Sequence, residues 1–166
     1  MSRKICFWIL ISFTLSSYHW LKSKNIFVHY SKGNHDKSIG WTFVQLLKAI
    51  FPNLKYDDSL KSRKCIYWDG CFIGFGHCDY KKSKSNDLFK QFVLEYPVEY
   101  SKSHVREIHC GHLHHETGED EGIMIRRLPT GNKTDEWHEE EGFIGGHKRF
   151  MVFEYEPNFL ATIHYV

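Results

Sequence analysis

The stretch Val105-Arg106-Glu107-Ile108-His109-Cys110-Gly111-His112-Leu113-His114-His115-Glu116 decides the reading of this chain. Its first half, Val105 to Cys110, has the length and apolar content of a short strand. Gly111 then lets the backbone bend, and His112 and His114 follow as imidazole donors in a loop. Such donors suit zinc, manganese or iron.

Working outward, the same arrangement recurs twice. Cys65 to Trp68 and Cys71 to Phe75 read as strands joined at Asp69-Gly70, a strong hairpin signal. Gly76-His77-Cys78-Asp79 comes directly after the second. Asn25 to Tyr30 (NIFVHY) reads as a buried strand and runs into Ser31-Lys32-Gly33-Asn34-His35-Asp36. A lone histidine after a strand is usually a surface or core residue, and a lone GNHD is a simple turn. Three such segments on strand ends point instead to one shared cleft, where a rigid scaffold aims loop side chains.

Other elements follow from spacing. Ile39 to Phe51 has helical placement of Trp41, Val44, Leu47 and Ala49, and Pro52-Asn53 ends it. Trp41, Phe43 and Phe51 read as core on that helix. Leu88 to Leu94 reads as a helix before Pro97, and Ile123 to Leu128 as a strand. Phe150 to Tyr155 and Leu160 to Tyr165 read as a closing hairpin. Strands dominate the second half and mix with helix in the first, the pattern of a layered α/β sandwich.

A length of 166 residues suits one domain. The formal charge of +2 excludes both a global basic field for nucleic acid and the acidic excess of a disordered chain. Cys6, Cys65, Cys71, Cys78 and Cys110 are odd in number and form no CxxC pair. They argue for a reducing compartment and for thiols that act as small buried apolar groups.

The N-terminus carries an ambiguous address. Arg3 and Lys4 precede the apolar run Ile5 to Leu15, broken by Ser12 and Thr14, and Ser16-Ser17-Tyr18 follow. The run resembles a short signal peptide and is too short for a membrane span. The free cysteines favour a buried helix of a cytoplasmic domain, with export through this segment as the alternative.

The segments GNHD, the single His77 and GHLH together resemble the calcineurin-like metallophosphoesterases, over roughly residues 25 to 155. Within that family the chain looks closest to phage- and plasmid-borne enzymes related to DNA-repair nucleases. The stretches behind this are IGFGHCD (73–79), Glu95-Tyr96-Pro97, VREIHCGHLHHE (105–116), Arg126-Arg127-Leu128-Pro129, TDEWH (134–138) and Gly142-Phe143-Ile144-Gly145.

The resemblance implies a four-layer α/β/β/α sandwich, here partial, and a divalent metal centre (Mn, Zn or Fe). Asn34, His77 and His112 would bind the second metal and His114 the first. His35 would protonate the leaving alkoxide, with Asp36 holding its ring. Arg126, Arg127, Trp137 and His138 are candidate substrate contacts, through phosphate pairing and base stacking. The competing readings for them are a solvated strand end and packing. The implied substrate is a phosphodiester or phosphomonoester, with nucleic acid as one candidate.

The family pattern opens with Asp-x-His and Gly-Asp motifs, and here no Asp precedes Asp36. His19 and His29 lack the matching neighbours. Two adjacent dications without a bridging carboxylate repel strongly. The expectation is therefore one metal site at most in this chain alone, and impaired hydrolysis. Residues 25–166 are expected to be an N-terminally incomplete metallophosphoesterase domain, with first strands missing or replaced by the segment 1–24. The alternative is an inactive remnant or a binding module. No particular oligomeric state is implied.

Overall fold

The hairpin closed at Asp69-Gly70 follows directly from its turn chemistry. In a computed structural model, which describes residues 5–8, 26–33, 37–79, 85–112, 116–120, 122–129 and 149–166, β4 (Arg63–Trp68) and β5 (Cys71–Gly76) pair antiparallel with Trp68 opposite Cys71. Asp69 and Gly70 both take positive φ, 38° and 84°. That is the mirror-image turn whose twist matches a hairpin, and Asp-Gly suits it. Gly70 also leaves room for the Asn158 side chain, whose Oδ1 would lie 1.9 Å from a Cβ there.

The other elements are β1 (Ile5–Trp8), β2 (Phe27–His29), α1 (Lys37–Ile50), β3 (Lys55–Asp57), α2 (Ser85–Glu95) and α3 (Pro97–Ser101). They continue with β6 (Val105–Cys110), β7 (Thr117–Asp120), β8 (Met124–Arg127), β9 (Met151–Glu156) and β10 (Phe159–Tyr165).

The central sheet has the order β4-β5-β6-β8-β7. Its inner strands β5, β6 and β8 run parallel, and the edge strands β4 and β7 are antiparallel to their neighbours. Strand β5 is buried on both faces, as a covered parallel strand should be. On one face Phe72, Ile108, Cys110 and Ile125 pack against Leu88 and Phe92 of α2. Gly74 permits this close approach, since a Cβ there would meet Phe92 Cε1 at 2.7 Å. On the other face Cys71 and Ile73 pack against Met151, Phe153 and Tyr155 of β9. The result is a helix layer, the central mixed sheet, and a second sheet of order β1-β9-β10. Strands β2 and β3 pair in parallel and α1 connects them, with Leu47, Phe51 and Leu54 packed on Ile26, Val28 and Tyr56.

The helix expected over Ile5 to Leu15 is corrected at its start. Ile5–Trp8 is a strand, antiparallel to β9 with Phe7 opposite Phe153. A helix there would leave the second edge of β9 with unpaired backbone groups, and Ile, Phe and Trp fit a pleated surface. Residues 9–25 lie outside the described residues.

The core reading of α1 is corrected too. Val44, Leu47 and Phe51 are buried, but Trp41 and Phe43 are 41% and 39% exposed. A helix of this length spans about 20 Å, whereas three-residue strands cover about 10 Å. Trp41 therefore overhangs the strands, and Phe43 is turned about 100° from Val44. Strands β3 and β7 were not expected; both are short and polar. Among the described residues no helix is long and apolar enough to cross a membrane.

Candidate metal centre

Strands β5 and β6 are parallel neighbours with Gly76 opposite Cys110, so their carboxyl ends open on the same sheet edge. In open α/β sheets ligands bind outside such ends. His77 is the first residue past β5, and His112 the second past β6. A hydrogen bond from Gly111 N to Gly76 O at 3.2 Å extends the pairing beyond the strands.

The two imidazole rings meet there, with centroids 5.1 Å apart and planes at 72°. Two imidazoles on one tetrahedral ion, each with nitrogen at about 2.1 Å, have centroids about 5 Å apart. The pair therefore fits a shared cation. A Cβ on Gly111 would touch His77 Nδ1 at 3.4 Å, so glycine keeps that nitrogen uncrowded.

The backbone supplies an independent signal. Four described non-glycine residues have positive φ: Asp69, Cys78, His112 and Asn158. Asp69 and Asn158 sit in the β4–β5 and β9–β10 turns, where Asp and Asn tolerate this conformation. Cys78 (φ 63°) and His112 (φ 71°) instead sit in the two loops that carry the imidazole pair. Such residues cost about 1–2 kcal/mol each and cluster at functional sites.

The thiols of these loops lie in the core. Cys78 and Cys110 belong to the apolar cluster beneath α2. Cys78 donates to Gly76 O at 3.5 Å. Its hydrogen bond with Cys110, together with burial, pushes the Cys78 thiol well above the ordinary range.

Strand β2 ends beside the same edge. His29 packs edge-on against Phe75 with ring centroids 5.1 Å apart, and Phe75 lies two residues before His77. Nearby, Asp57 faces His29 Nδ1 at 3.5 Å and Lys64 Nζ at 3.0 Å. Burial would raise the Asp57 carboxyl, but bonds from Ser59 and Lys64 hold it at about 2. Burial lowers His29, against the pull of Asp57.

A buried polar network underlies the centre, between the two sheets. Arg126 grips Glu107 with two charge-assisted bonds, Nε to Oε2 and Nη2 to Oε1, both 3.0 Å. Tyr155 donates to Glu107 Oε2 at 2.9 Å, and His109 Nε2 lies 3.1 Å from the same oxygen. Burial works to raise Glu107, yet hydrogen bonds from His109 and Arg126 keep it at about 2. The Tyr155 hydroxyl is pushed far up by burial and by the Glu107 charge.

This network was not anticipated from the sequence. The available signal was Glu107 and His109 at i and i+2 on a strand, which places them on one face. The guanidinium of Arg126, expected at substrate phosphate, is engaged by Glu107. Arg127 Nε is 3.8 Å from Glu119. Beyond His115, Glu116 accepts from Tyr165 at 2.8 Å and pairs with Arg149.

Of the expected site residues, His77 and His112 come together. Asn34, His35, Asp36, His114, Trp137 and His138 lie outside the described residues. Among the described residues no group of three or more His, Cys, Asp or Glu could hold a metal.

No family model matches the sequence, and no curated protein does. Solved structures do match. A single mutant of Vps29 from Entamoeba histolytica has a TM-score of 0.50 at 11% identity, covering 93% of this chain and 89% of that one. Vps29 from Chaetomium thermophilum gives 0.48 at 14%, over 94% and 89%. A conserved Streptococcus pneumoniae protein described as a predicted phosphoesterase gives 0.41 at 11%, over 85% and 87%. The architecture is consistent with the metallophosphoesterase fold. At these identities the likeness is one of fold alone.

Proposed function

We propose that this chain carries a metal-dependent phosphoesterase-type centre at the carboxyl ends of β5 and β6. The observation behind it is the imidazole pair His77–His112, at the spacing a shared ion requires and beside two strained backbone positions. In this reading Asn34, from the loop that follows β2, completes the donor set of that ion, and His114, from the loop that follows β6, belongs to the neighbouring first-metal position. A divalent cation such as manganese, zinc or iron would supply Lewis-acid chemistry at a phosphate oxygen. His35 delivers a proton to the leaving oxygen, and Asp36 orients its ring. Arg127, Trp137 and His138 contact the substrate, while Arg126 is committed mainly to Glu107. The finer reading is a phosphodiesterase of the nuclease-like type, built on a four-layer sandwich and working in the cytoplasm.

A second reading has a specific basis. No aspartate precedes Asp36, so the chain lacks the early carboxylates of the metallophosphoesterase pattern. On that basis the cleft serves as a binding module, with one weakly held ion.

The test is hydrolysis of a bis-aryl phosphate with added manganese, comparing the chain with His35→Ala. A loss of about 100-fold or more in the variant supports hydrolysis with His35 as acid. Equal, background rates in two folded proteins, with manganese still bound, support the binding module.

A further inference from the structure

We propose that Cys78 and Cys110 are a redox modification site, closing to a disulfide that locks together the two loops bearing His77 and His112. Cys110 ends β6 opposite Gly76, and neighbouring strands lie about 4.8 Å apart. The chain then folds back at Cys78, whose φ is 63°. This brings Cys78 Sγ to 3.5 Å from Gly76 O and to 3.7 Å from where a Gly76 Cβ would sit. Glycine at 76 leaves that space without a side chain, and Cys78 and Cys110 belong to the same buried cluster. A disulfide needs Cβ atoms about 3.5–4.5 Å apart, a separation that the shared neighbour Gly76 brings within reach of the two loops. The other described cysteines are placed differently. Cys71 faces β9, with its thiol toward Glu156 O, and Cys65 is half-buried on the edge strand β4.

The position of the pair gives it consequences. Cys78 adjoins His77, and Cys110 precedes His112 by two residues. Both thiols are nearly inaccessible, 6% exposed for Cys78 and 0% for Cys110. An oxidant therefore reaches them only when the 77–79 turn opens. A cation held by His77 and His112 keeps that turn shut. The metal-free chain is then oxidisable and the metal-bound chain protected. This coupling rests on the proposed metal centre; the disulfide itself does not.

The chemistry balances with a small disulfide such as oxidised glutathione. With the turn open to water, the Cys78 thiol gives up its proton as its sulfur attacks one sulfur of the small disulfide, and the expelled glutathione thiolate takes up a proton. Cys110 then attacks the mixed disulfide at Cys78 and expels the second. The protein gives up two thiol protons and two electrons, and two glutathione thiols take them up.

The experiment incubates the folded full-length chain with oxidised glutathione, with and without manganese. Non-reducing peptide mapping with fragment assignment reads the product, and electron paramagnetic resonance reads free manganese. A Cys78–Cys110 crosslink, absent from Cys78→Ala and from Cys110→Ser and formed about tenfold more slowly with manganese, is the expected result. Mixed adducts alone, or crosslinks through Cys65 or Cys71, overturn the pair. A rate indifferent to manganese that does bind overturns the coupling. Manganese that does not bind overturns the metal centre, and the crosslink alone then decides for or against the pair.

Discussion

On the α2 side of β6, Ile108 and Cys110 meet Phe72, Phe92 and Ile125. On the β9 side, Glu107 and His109 meet Arg126, Tyr155 and Phe153. Burial is almost the same: 0% exposure for Ile108 and Cys110, 4% for Glu107 and 2% for His109. The forces differ. The first face is held by apolar burial and close packing, which are roughly proportional to area and non-directional. The second is held by directed bonds to one carboxylate, each dependent on its partners. A single strand thus carries a tolerant face and an exacting one. His112 hangs from the end that both faces fix.

The largest expected effect tests the exacting face. Glu107→Ala leaves Arg126, Tyr155 and His109 without their common acceptor and should cost about 3–5 kcal/mol in urea unfolding. Changing the pair together, Glu107→Leu with Arg126→Met, should recover at least half of that loss, because no buried charge remains unpaired. If the double variant is no better than the single, the network is more than an ion pair and the comparison must be redrawn.

The pH dependence sharpens the same point. Glu107 is held at about 2 against an ordinary 4.5. Its folded value is depressed, so its stabilisation is fully present above about 4.5 and is lost as pH falls toward about 2. Across that window the contribution is on the order of 3 kcal/mol. Urea titrations at pH 5 and pH 3 should show a smaller drop for Glu107→Gln than for the unmodified chain. Equal drops would place the acid sensitivity elsewhere.

The tolerant face should respond to shape and not to charge. Gly74→Ala puts a methyl 2.7 Å from Phe92 Cε1 and should cost about 1–3 kcal/mol, with no change in pH profile. A smaller effect is expected where the strand ends. His112→Gly relieves a positive φ and should leave stability unchanged or raise it by about 0.5 kcal/mol, while weakening manganese binding. A loss of stability instead would mean that the His112 ring is a packing element.

The two faces were unequally legible. Ile108, Cys110 and Phe72 read as buried strand residues because apolar character and burial go together. Glu107 and His109 sat in the same run with no mark of their partners. Arg126 is 17 residues from His109 in sequence and reaches it only through the β6–β8 pairing. Tyr155 comes from a second sheet altogether. The exposed Trp41 shows the converse failure, since a helical stripe says which residues can be buried and not how far the strands beneath extend.

What the sequence by itself determined was local: the Asp69-Gly70 hairpin, the ends of β5 and β6, and the Gly-His steps beyond them. Turn chemistry and strand ends act over a few residues, so they can be read without the rest of the chain. Only the tertiary structure decided that Ile5–Trp8 is a strand, that Glu107 is the shared acceptor of a buried network, and how closely the rings of His77 and His112 stand. Each depends on which strands lie side by side, a choice set by pairing edges and burying faces across the whole chain.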